Sequence, residues 1–178
     1  MQFEIIAIRA VVSQERWLLY DARRSIMLRR LGGDRLNERY LWHGTCNESA
    51  RSIASQGFLR QLRQHTVYGA GSYFSLHPDT ALSYAVRRAQ SRTEPAEQGL
   101  SIECSCILSR VLVGEYALGR SFMLSPPRTN EGPHDNQLHD STVNSVLSPS
   151  VFVSYSDDQA FPEFVVQLRV QLNRGGSG

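Results

Sequence analysis

Two short clusters in this 178-residue chain combine residue types that could bind a flat, polar ligand. In the first, His43, Gly44 and Thr45 follow an apolar run, and their imidazole, bare backbone and hydroxyl can hydrogen-bond a planar carboxamide and a sugar hydroxyl. In the second, which spans 68–74, two glycines around one alanine precede Tyr73 and Phe74. Glycine lets the backbone approach a ligand closely, and aromatic rings supply a flat apolar wall. Together the two clusters suit a flat ligand that carries a carboxamide and a sugar hydroxyl.

The elements that must carry these clusters follow from periodicity and from turn residues. The stretch 40–42 is predicted as a short strand that delivers His43 to its end, and 72–75 as the strand that carries Tyr73. Further strands are expected over 3–12, 101–113, 151–155 and 164–172, and helices from a Ser13 N-cap to Gly32, over 48–56 and over 78–90. Strands outnumber helices and do not alternate with them regularly, which argues for an α+β fold. The stretch 119–148 is predicted as a long irregular connection.

Length and composition fit one globular domain over 1–174, followed by a linker or tail over 175–178. Hydrophobic residues make up 41% of the chain and charged residues 20%. No apolar run reaches the roughly 18 residues of a membrane span, and no secretory leader is apparent, so we expect an intracellular protein that does not bind membranes. The net charge of +2 is too small to predict nucleic-acid binding by charge alone, although every basic residue is arginine.

The three cysteines cannot all pair with one another, and they offer no metal site. Cys104 and Cys106 stand two apart in a strand-like run and therefore point to one face, but no further ligand with zinc spacing is near them. We expect three reduced thiols, no bound metal, and a cytoplasmic or nuclear location.

The clusters and the blocks that follow them resemble the catalytic domains of the poly(ADP-ribose) polymerase family of ADP-ribosyltransferases. The matching blocks occur in family order along nearly the whole chain: Trp-His-Gly-Thr (42–45), Gly-Phe-Leu-Arg (57–60), Tyr-Gly-Ala-Gly-Ser-Tyr-Phe (68–74), Val-Gly-Glu-Tyr (113–116), Ser-Pro-Pro (125–127) and Ser-Pro-Ser-Val-Phe-Val (148–153). The last blocks are most similar to the members that transfer a single ADP-ribose unit. The resemblance implies the ADP-ribosyltransferase fold, a split mixed or antiparallel sheet with peripheral helices, and NAD as a substrate with no other cofactor.

The resemblance also implies roles, beginning with the His-Tyr-Glu triad that describes the family. His43 takes the first place and would bind the nicotinamide-ribose hydroxyl, and Tyr73 takes the second and would lie against the nicotinamide. Gly44 would hold the carboxamide with its backbone, and Thr45 would assist with its hydroxyl. The remaining expected contacts are Tyr84 on the opposite face of the nicotinamide, Arg60 beside the adenosine phosphates, and Tyr68 and Gly71 in the glycine-rich segment.

Two positions depart from the family pattern. Ala81 stands where the family has a small hydroxyl residue that bonds the carboxamide, and losing that hydrogen bond costs about 0.5–1.5 kcal/mol. Val151 stands in the place of the glutamate, because the strand 151–155 precedes an Asp-containing turn as the family's glutamate strand does. Glu163 then belongs to the start of the next strand, where it would have a structural role.

The predicted chemistry depends on this His-Tyr-Val triad. Cleavage of the nicotinamide–ribose bond passes through a positively charged, oxocarbenium-like state, which a carboxylate would stabilise while also accepting a proton from an attacking hydroxyl. Valine does neither, so we expect an enzyme that transfers one ADP-ribose unit to an acceptor carrying its own negative charge, a protein side chain or a nucleic-acid terminal phosphate. We also expect the protein to be a monomer. The alternative is a weak or inactive module that retains the fold and binds NAD or a protein partner.

Overall fold

The computed structural model describes residues 2–59, 67–92, 101–129 and 137–172, which form one eight-stranded sheet with three helices packed on it. In chain order the elements are β1 (Phe3–Ala10), α1 (Gln14–Leu31), β2 (Glu38–Thr45), α2 (Asn47–Gln56), β3 (Ser72–Ser75), α3 (Pro78–Gln90), β4 (Ser101–Leu112), β5 (Tyr116–Leu118), β6 (Ser141–Val143), β7 (Val151–Ser154) and β8 (Ala160–Gln171).

The sheet consists of two halves that meet at one residue pair. Its strand order is β1-β8-β4-β2-β3-β7-β6-β5, and all neighbours are antiparallel except β5 and β6. Strand β2 pairs with β4 along its whole length, whereas within the described residues it shares only the pair Trp42↔Ser75 with β3. The backbone of β2 beyond Trp42 therefore separates from β3. This arrangement confirms the predicted α+β fold with a split, mixed sheet.

Helix α3 covers one face of the sheet beside this separation. It begins with Pro78, whose missing N–H leaves no intrahelical hydrogen bond unmade in the first turn. Its small apolar residues recur with helical spacing, so the helix backbone can come close to β2 and β4. The core on this face combines Ala81, Leu82, Ala85, Val86 and Ala89 with Cys104, Cys106, Leu168 and Val170.

Helices α1 and α2 cover other parts of the core. Ser13 caps α1 by accepting a hydrogen bond from the backbone N–H of Arg16 at 3.4 Å, and Gly32 ends the helix with φ of 81°, as predicted. Helix α1 buries Tyr20, Met27 and Leu31 with Phe161, while Ala50 of α2 joins a core that contains Leu41, Phe58, Phe74, Ile107 and Phe152. This second core lies directly behind the strands that carry the predicted site.

Strand β1 ends at Ala10 rather than at 12, and three further differences from the prediction bear on the site. Strand β2 does not end before His43, because its ladder with β4 continues to the pair Thr45↔Ser105. Strand β8 begins at Ala160 rather than near 164, so Glu163 lies inside the strand and not at its start. The connection 119–148 is not irregular throughout, because β6 lies in it and forms a buried strand between β5 and β7.

The described residues contain no helix that combines the length and the apolar character needed to cross a membrane. Cys46, Cys104 and Cys106 are buried free thiols. In the same part of the chain, no group of three or more His, Cys, Asp or Glu side chains could hold a metal ion.

Candidate functional site

The first two predicted triad residues meet where β2 and β3 separate. There the Nδ1 atom of His43 lies 2.8 Å from the carbonyl oxygen of Tyr73. A carbonyl oxygen can only accept a hydrogen bond, so Nδ1 carries the proton in this contact. The imidazole thereby spans the gap between two strands whose backbone pairing has ended. This hydrogen bond fixes the orientation of the ring and leaves its second nitrogen, Nε2, for another partner.

Aromatic packing further holds the ring of His43. Its centroid lies 5.2 Å from that of Phe58, at an interplanar angle of 79°, and 5.8 Å from that of Phe74. Burial lowers the pKa of His43, and the hydrogen bond to the Tyr73 carbonyl opposes this effect only in part. The imidazole is therefore neutral near physiological pH, and Nε2 can accept a hydrogen bond from a hydroxyl group.

The hydroxyl of Tyr73 organises the turn 68–71 that precedes it. It accepts a hydrogen bond from the backbone N–H of Tyr68 at 2.8 Å and donates one to the carbonyl oxygen of Gly69 at 2.9 Å. The residue as a whole is only half-buried. The hydroxyl thus serves the protein's own structure, and the ring is the part of Tyr73 that can meet a ligand.

Gly44 lies against the backbone of helix α3. A Cβ atom at this position would overlap the carbonyl oxygen of Ala81 and would stand 2.9 Å from the backbone nitrogen of Ala85. Protein atoms therefore occupy the space that the missing side chain leaves. This contact with α3 accounts for the missing side chain, and the expected contact of the Gly44 backbone N–H and C=O with a carboxamide stays a prediction.

The glycines of the turn 68–71 are likewise packed against protein. A Cβ on Gly71 would overlap the carbonyl oxygen of Ser154, and one on Gly69 would overlap the hydroxyl of Tyr155. Gly69 also has φ of +122°, in the region that favours glycine. The two glycines let the turn lie directly on β7 and on the residue that follows it, rather than leaving space for a ligand.

Three further predicted residues lie on β2 and α3 and differ in exposure. Ala81 is buried where α3 crosses β2, and Thr45 is also buried, with 5% of its surface exposed. Tyr84 is 51% exposed, and the guanidinium carbon of Arg87 lies 4.6 Å from the centroid of its ring. Tyr84 follows Ala81 by one helical turn, which places its ring at the margin of the contact between helix and sheet.

Val151 opens β7 opposite Ser75 of β3. Since residues two apart in a strand share a face, Val151 lies on the same side of β3 and β7 as Tyr73. The side chain of Asn144 accepts a hydrogen bond from the backbone N–H of Val151 at 3.0 Å, and the N–H of Asn144 donates to the Val151 carbonyl at 3.2 Å. The start of β7 is thereby held in place, with an apolar side chain where the resemblance predicts the third triad residue.

Glu163 lies on β8, which β4, β2 and β3 separate from β7. Its carboxylate forms an ion pair with Arg110, and the hydroxyl of Tyr40 lies 3.5 Å from it. The guanidinium of Arg110 also lies over the rings of Trp17 and Tyr40. These contacts fit the structural role predicted for Glu163, although the residue stands within its strand rather than at the start.

The last predicted contact is that of Arg60. Arg60 falls outside the described residues, so its expected contact with the adenosine phosphates stays a prediction.

Thr142, Asn144 and Tyr155 make hydrogen bonds to backbone groups of Tyr68 and Val151, although their spacing in the sequence gives no indication of these contacts. They come to the site because β7 pairs with β3 and β6 pairs with β7.

A cavity of about 670 Å³ opens elsewhere, beside Asn37, Gly114 and His139. It is polar and broad, and none of the predicted site residues lines it. Volume alone does not identify a binding site, whereas convergent polar groups next to aromatic rings and a perturbed pKa do so more specifically. The separation of β2 and β3 is therefore the stronger candidate.

The sequence of this chain is similar to those of known catalytic domains. The family model for the poly(ADP-ribose) polymerase catalytic domain matches residues 1–132. Human protein mono-ADP-ribosyltransferase PARP12 is 36% identical over 153 residues, which are 85% of this chain and 20% of that protein. Human PARP14 is 31% identical over 170 residues, 94% of this chain and 9% of that protein, and mouse PARP11 is 25% identical over 171 residues, 90% and 51% respectively. The chain thus spans about a fifth of the length of PARP12.

Proposed function

Since the chain belongs to the family of poly(ADP-ribose) polymerase catalytic domains, we propose that it transfers single ADP-ribose units from NAD to an acceptor and releases nicotinamide. Its relatives are named mono-ADP-ribosyltransferases. The observation that carries the proposal is Val151 at the start of β7, on the Tyr73 side of the sheet, while Glu163 lies on β8 and forms an ion pair with Arg110 of β4.

Binding of NAD would use the groups that converge where β2 and β3 separate. The unprotonated Nε2 of His43 would accept a hydrogen bond from a nicotinamide-ribose hydroxyl. The backbone N–H and C=O of Gly44 would complement the carboxamide, and the rings of Tyr73 and Tyr84 would take the two faces of the nicotinamide. Ala81 supplies no side-chain hydrogen bond, so the carboxamide would depend on the backbone of Gly44. Arg60 would neutralise the adenosine phosphates.

In the proposed reaction the bond between the nicotinamide nitrogen and ribose carbon 1 breaks, and nicotinamide leaves with the bonding electrons. Carbon 1 then forms a bond with an acceptor oxygen. Strands β3 and β7, with sequences SYFS and VFVS, carry no acidic residue that could stabilise the positive charge on the ribose. An acceptor carboxylate or terminal phosphate brings its own negative charge and needs no general base. A ribose hydroxyl needs the protein to supply both the negative charge and the general base. Single transfer is therefore favoured over polymer growth.

The decisive test is incubation of the purified protein with isotopically labelled NAD and acceptors, followed by mass spectrometry of the products. We expect one ADP-ribose per modified site, together with released nicotinamide. His43→Ala should reduce transfer about tenfold or more because it removes the hydrogen bond that orients the ribose. Glu163→Gln is the matched control and should transfer at nearly the wild-type rate. Long polymer, or inactivity of Glu163→Gln, would show that Glu163 and not Val151 is the third triad residue.

A binding module without turnover is the second candidate, and Ala81 and Val151 are the residues that favour it. Each stands where the family pattern has a polar group that would assist the reaction, while the surface that would contact the nicotinamide is kept. Calorimetric binding of NAD with no release of nicotinamide over many hours would favour this candidate. A protein that retains its fold but binds no NAD would instead point to a module for protein interactions.

The proposed setting is intracellular, and the proposed enzyme is a monomer with no resident metal. Three buried free thiols fit a reducing compartment, where disulfides are rare. The proposed catalytic domain spans 1–174, and the chain covers only part of the length of its relatives.

A further inference from the structure

A chain of hydrogen bonds joins the buried Tyr155 to the turn 68–71. The hydroxyl of Thr142 donates to the carbonyl oxygen of Tyr68 at 2.9 Å, and the hydroxyl of Tyr155 lies 2.9 Å from the Thr142 oxygen. Either hydroxyl can be the donor in the contact between them, because each has one proton and each also lies within hydrogen-bond distance of the Tyr68 carbonyl. The Tyr155 hydroxyl is also 3.4 Å from the Tyr68 carbonyl. Successive hydrogen bonds of this kind polarise and strengthen one another in a buried setting.

The same chain continues from Tyr68 to the predicted triad. The backbone N–H of Tyr68 donates to the hydroxyl of Tyr73, so both sides of this residue's backbone are held by side-chain hydroxyls. The carbonyl oxygen of Tyr73 in turn accepts the hydrogen bond from His43. An unbroken series of contacts therefore runs from Tyr155 to His43, although neither Tyr155 nor Thr142 belongs to the motifs that identify the family.

Packing reinforces these hydrogen bonds. Tyr73, Val153 and Thr142 form one row across β3, β7 and β6, and Thr142 is completely buried. A Cβ on Gly69 would overlap the Tyr155 hydroxyl, so the turn rests directly on that atom. Burial raises the pKa of Tyr155, and its phenol therefore stays protonated and able to donate near neutral pH. A displacement of either hydroxyl must move the turn, because no free space separates them.

We propose that Thr142 and Tyr155 are positioning residues for the nicotinamide end of NAD. They hold the turn 68–71, and the turn holds the ring of Tyr73 at the angle needed to lie against the nicotinamide. The inference rests on the proposed function and adds two residues that contact the backbone of the site rather than the substrate.

The test compares Thr142→Val and Tyr155→Phe, each of which removes one hydroxyl and keeps the shape of the side chain. Ser141→Ala is the matched control, because Ser141 is the adjacent buried residue of β6 and its hydroxyl donates at 2.7 Å to the carbonyl of Val113, away from the turn. Thr142→Ser keeps the hydroxyl and serves as the conservative variant. The measurements are urea stability, NAD affinity by calorimetry, KM and kcat for transfer, and amide hydrogen exchange over 67–72.

We expect Thr142→Val and Tyr155→Phe to weaken NAD binding about three- to tenfold, the range expected for one lost hydrogen bond. The change should appear in KM more than in kcat, and exchange over 67–72 should accelerate. Thr142→Ser should stay close to wild type, and Ser141→Ala should lose similar stability without losing affinity. Equal NAD affinity in Thr142→Val and Ser141→Ala would overturn the positioning role. Failure of the wild-type protein to bind NAD would refute the proposed function, and this inference with it.

Discussion

Replacing Gly44 with alanine tests whether the contact between helix and sheet explains this glycine. A Cβ there would overlap the carbonyl oxygen of Ala81, and it would stand 2.7 Å from the carbonyl carbon of Ala81 and 2.9 Å from the nitrogen of Ala85, although real Cβ contacts are essentially never shorter than 3.0 Å. All three atoms belong to the backbone of α3, which cannot rotate away as a side chain can. The helix must therefore retreat from β2 by more than about 1 Å in a core that is otherwise closely packed.

The expected loss of stability follows from what α3 buries. Five of its residues are buried, all of them in the core on this face, so a retreat of the helix loosens the whole contact. Overpacking typically destabilises a core by about 1–3 kcal/mol, and a clash between two backbones belongs at the upper end of that range. With a urea m-value of about 2 kcal/mol/M, a loss of about 3 kcal/mol lowers the unfolding midpoint by about 1.5 M.

Urea unfolding followed by circular dichroism measures this shift. Gly33→Ala is the matched control, because no atom lies within 4 Å of a Cβ at Gly33. Its midpoint should rise slightly or stay within about 0.5 M of wild type, since alanine restricts the unfolded chain. A wild-type midpoint for Gly44→Ala would refute the packing explanation.

Three further predictions concern pH, an ion pair and the start of β7. Burial lowers the pKa of His43, so the imidazole is protonated at a higher pH in the unfolded chain than in the folded protein. The contribution of neutral His43 to the free energy of unfolding is therefore fully present above about pH 6.5 and declines as the pH falls below that value. Urea midpoints should therefore drop more between about pH 7.5 and about pH 5.5 in the wild type than in His43→Gln. Equal drops would contradict a lowered pKa for His43. Glu163→Gln should reduce the free energy of unfolding by about 1 kcal/mol, because its partner Arg110 is about one-third exposed, while calorimetry should show unchanged NAD affinity. Asn144→Ala should lower thermal stability by about 1–3 kcal/mol, because the backbone N–H groups of Ser150 and Val151 lose their acceptor, and Asn144→Asp should recover most of that loss.

The sequence alone determines the features that depend on residue type and short spacing. Helix α3 is predicted with its observed bounds, because Pro78 marks the first turn and apolar residues recur with a period near 3.6. The strand that begins at Val151 is predicted on similar grounds, since a β-rich run precedes an Asp-containing turn. The two clusters that contain His43 and Tyr73 are recognisable because their residue types are unusual in combination and adjacent in the chain.

Tertiary structure alone decides why the glycines are there and what holds Tyr73. The partners of Gly44 lie on a helix more than thirty residues along the chain, and the nearest partner of Gly69, Tyr155, follows β7. Spacing in the sequence therefore cannot distinguish a neighbouring protein atom from a ligand. The length of β2 and the early start of β8 depend on pairing with β4, which extends both strands past their β-rich cores. The hydroxyls of Thr142 and Tyr155 reach the turn 68–71 only because β6 and β7 pair beside β3. Sheet formation sets these contacts because it joins residues by strand order, and strand order here bears little relation to distance along the chain.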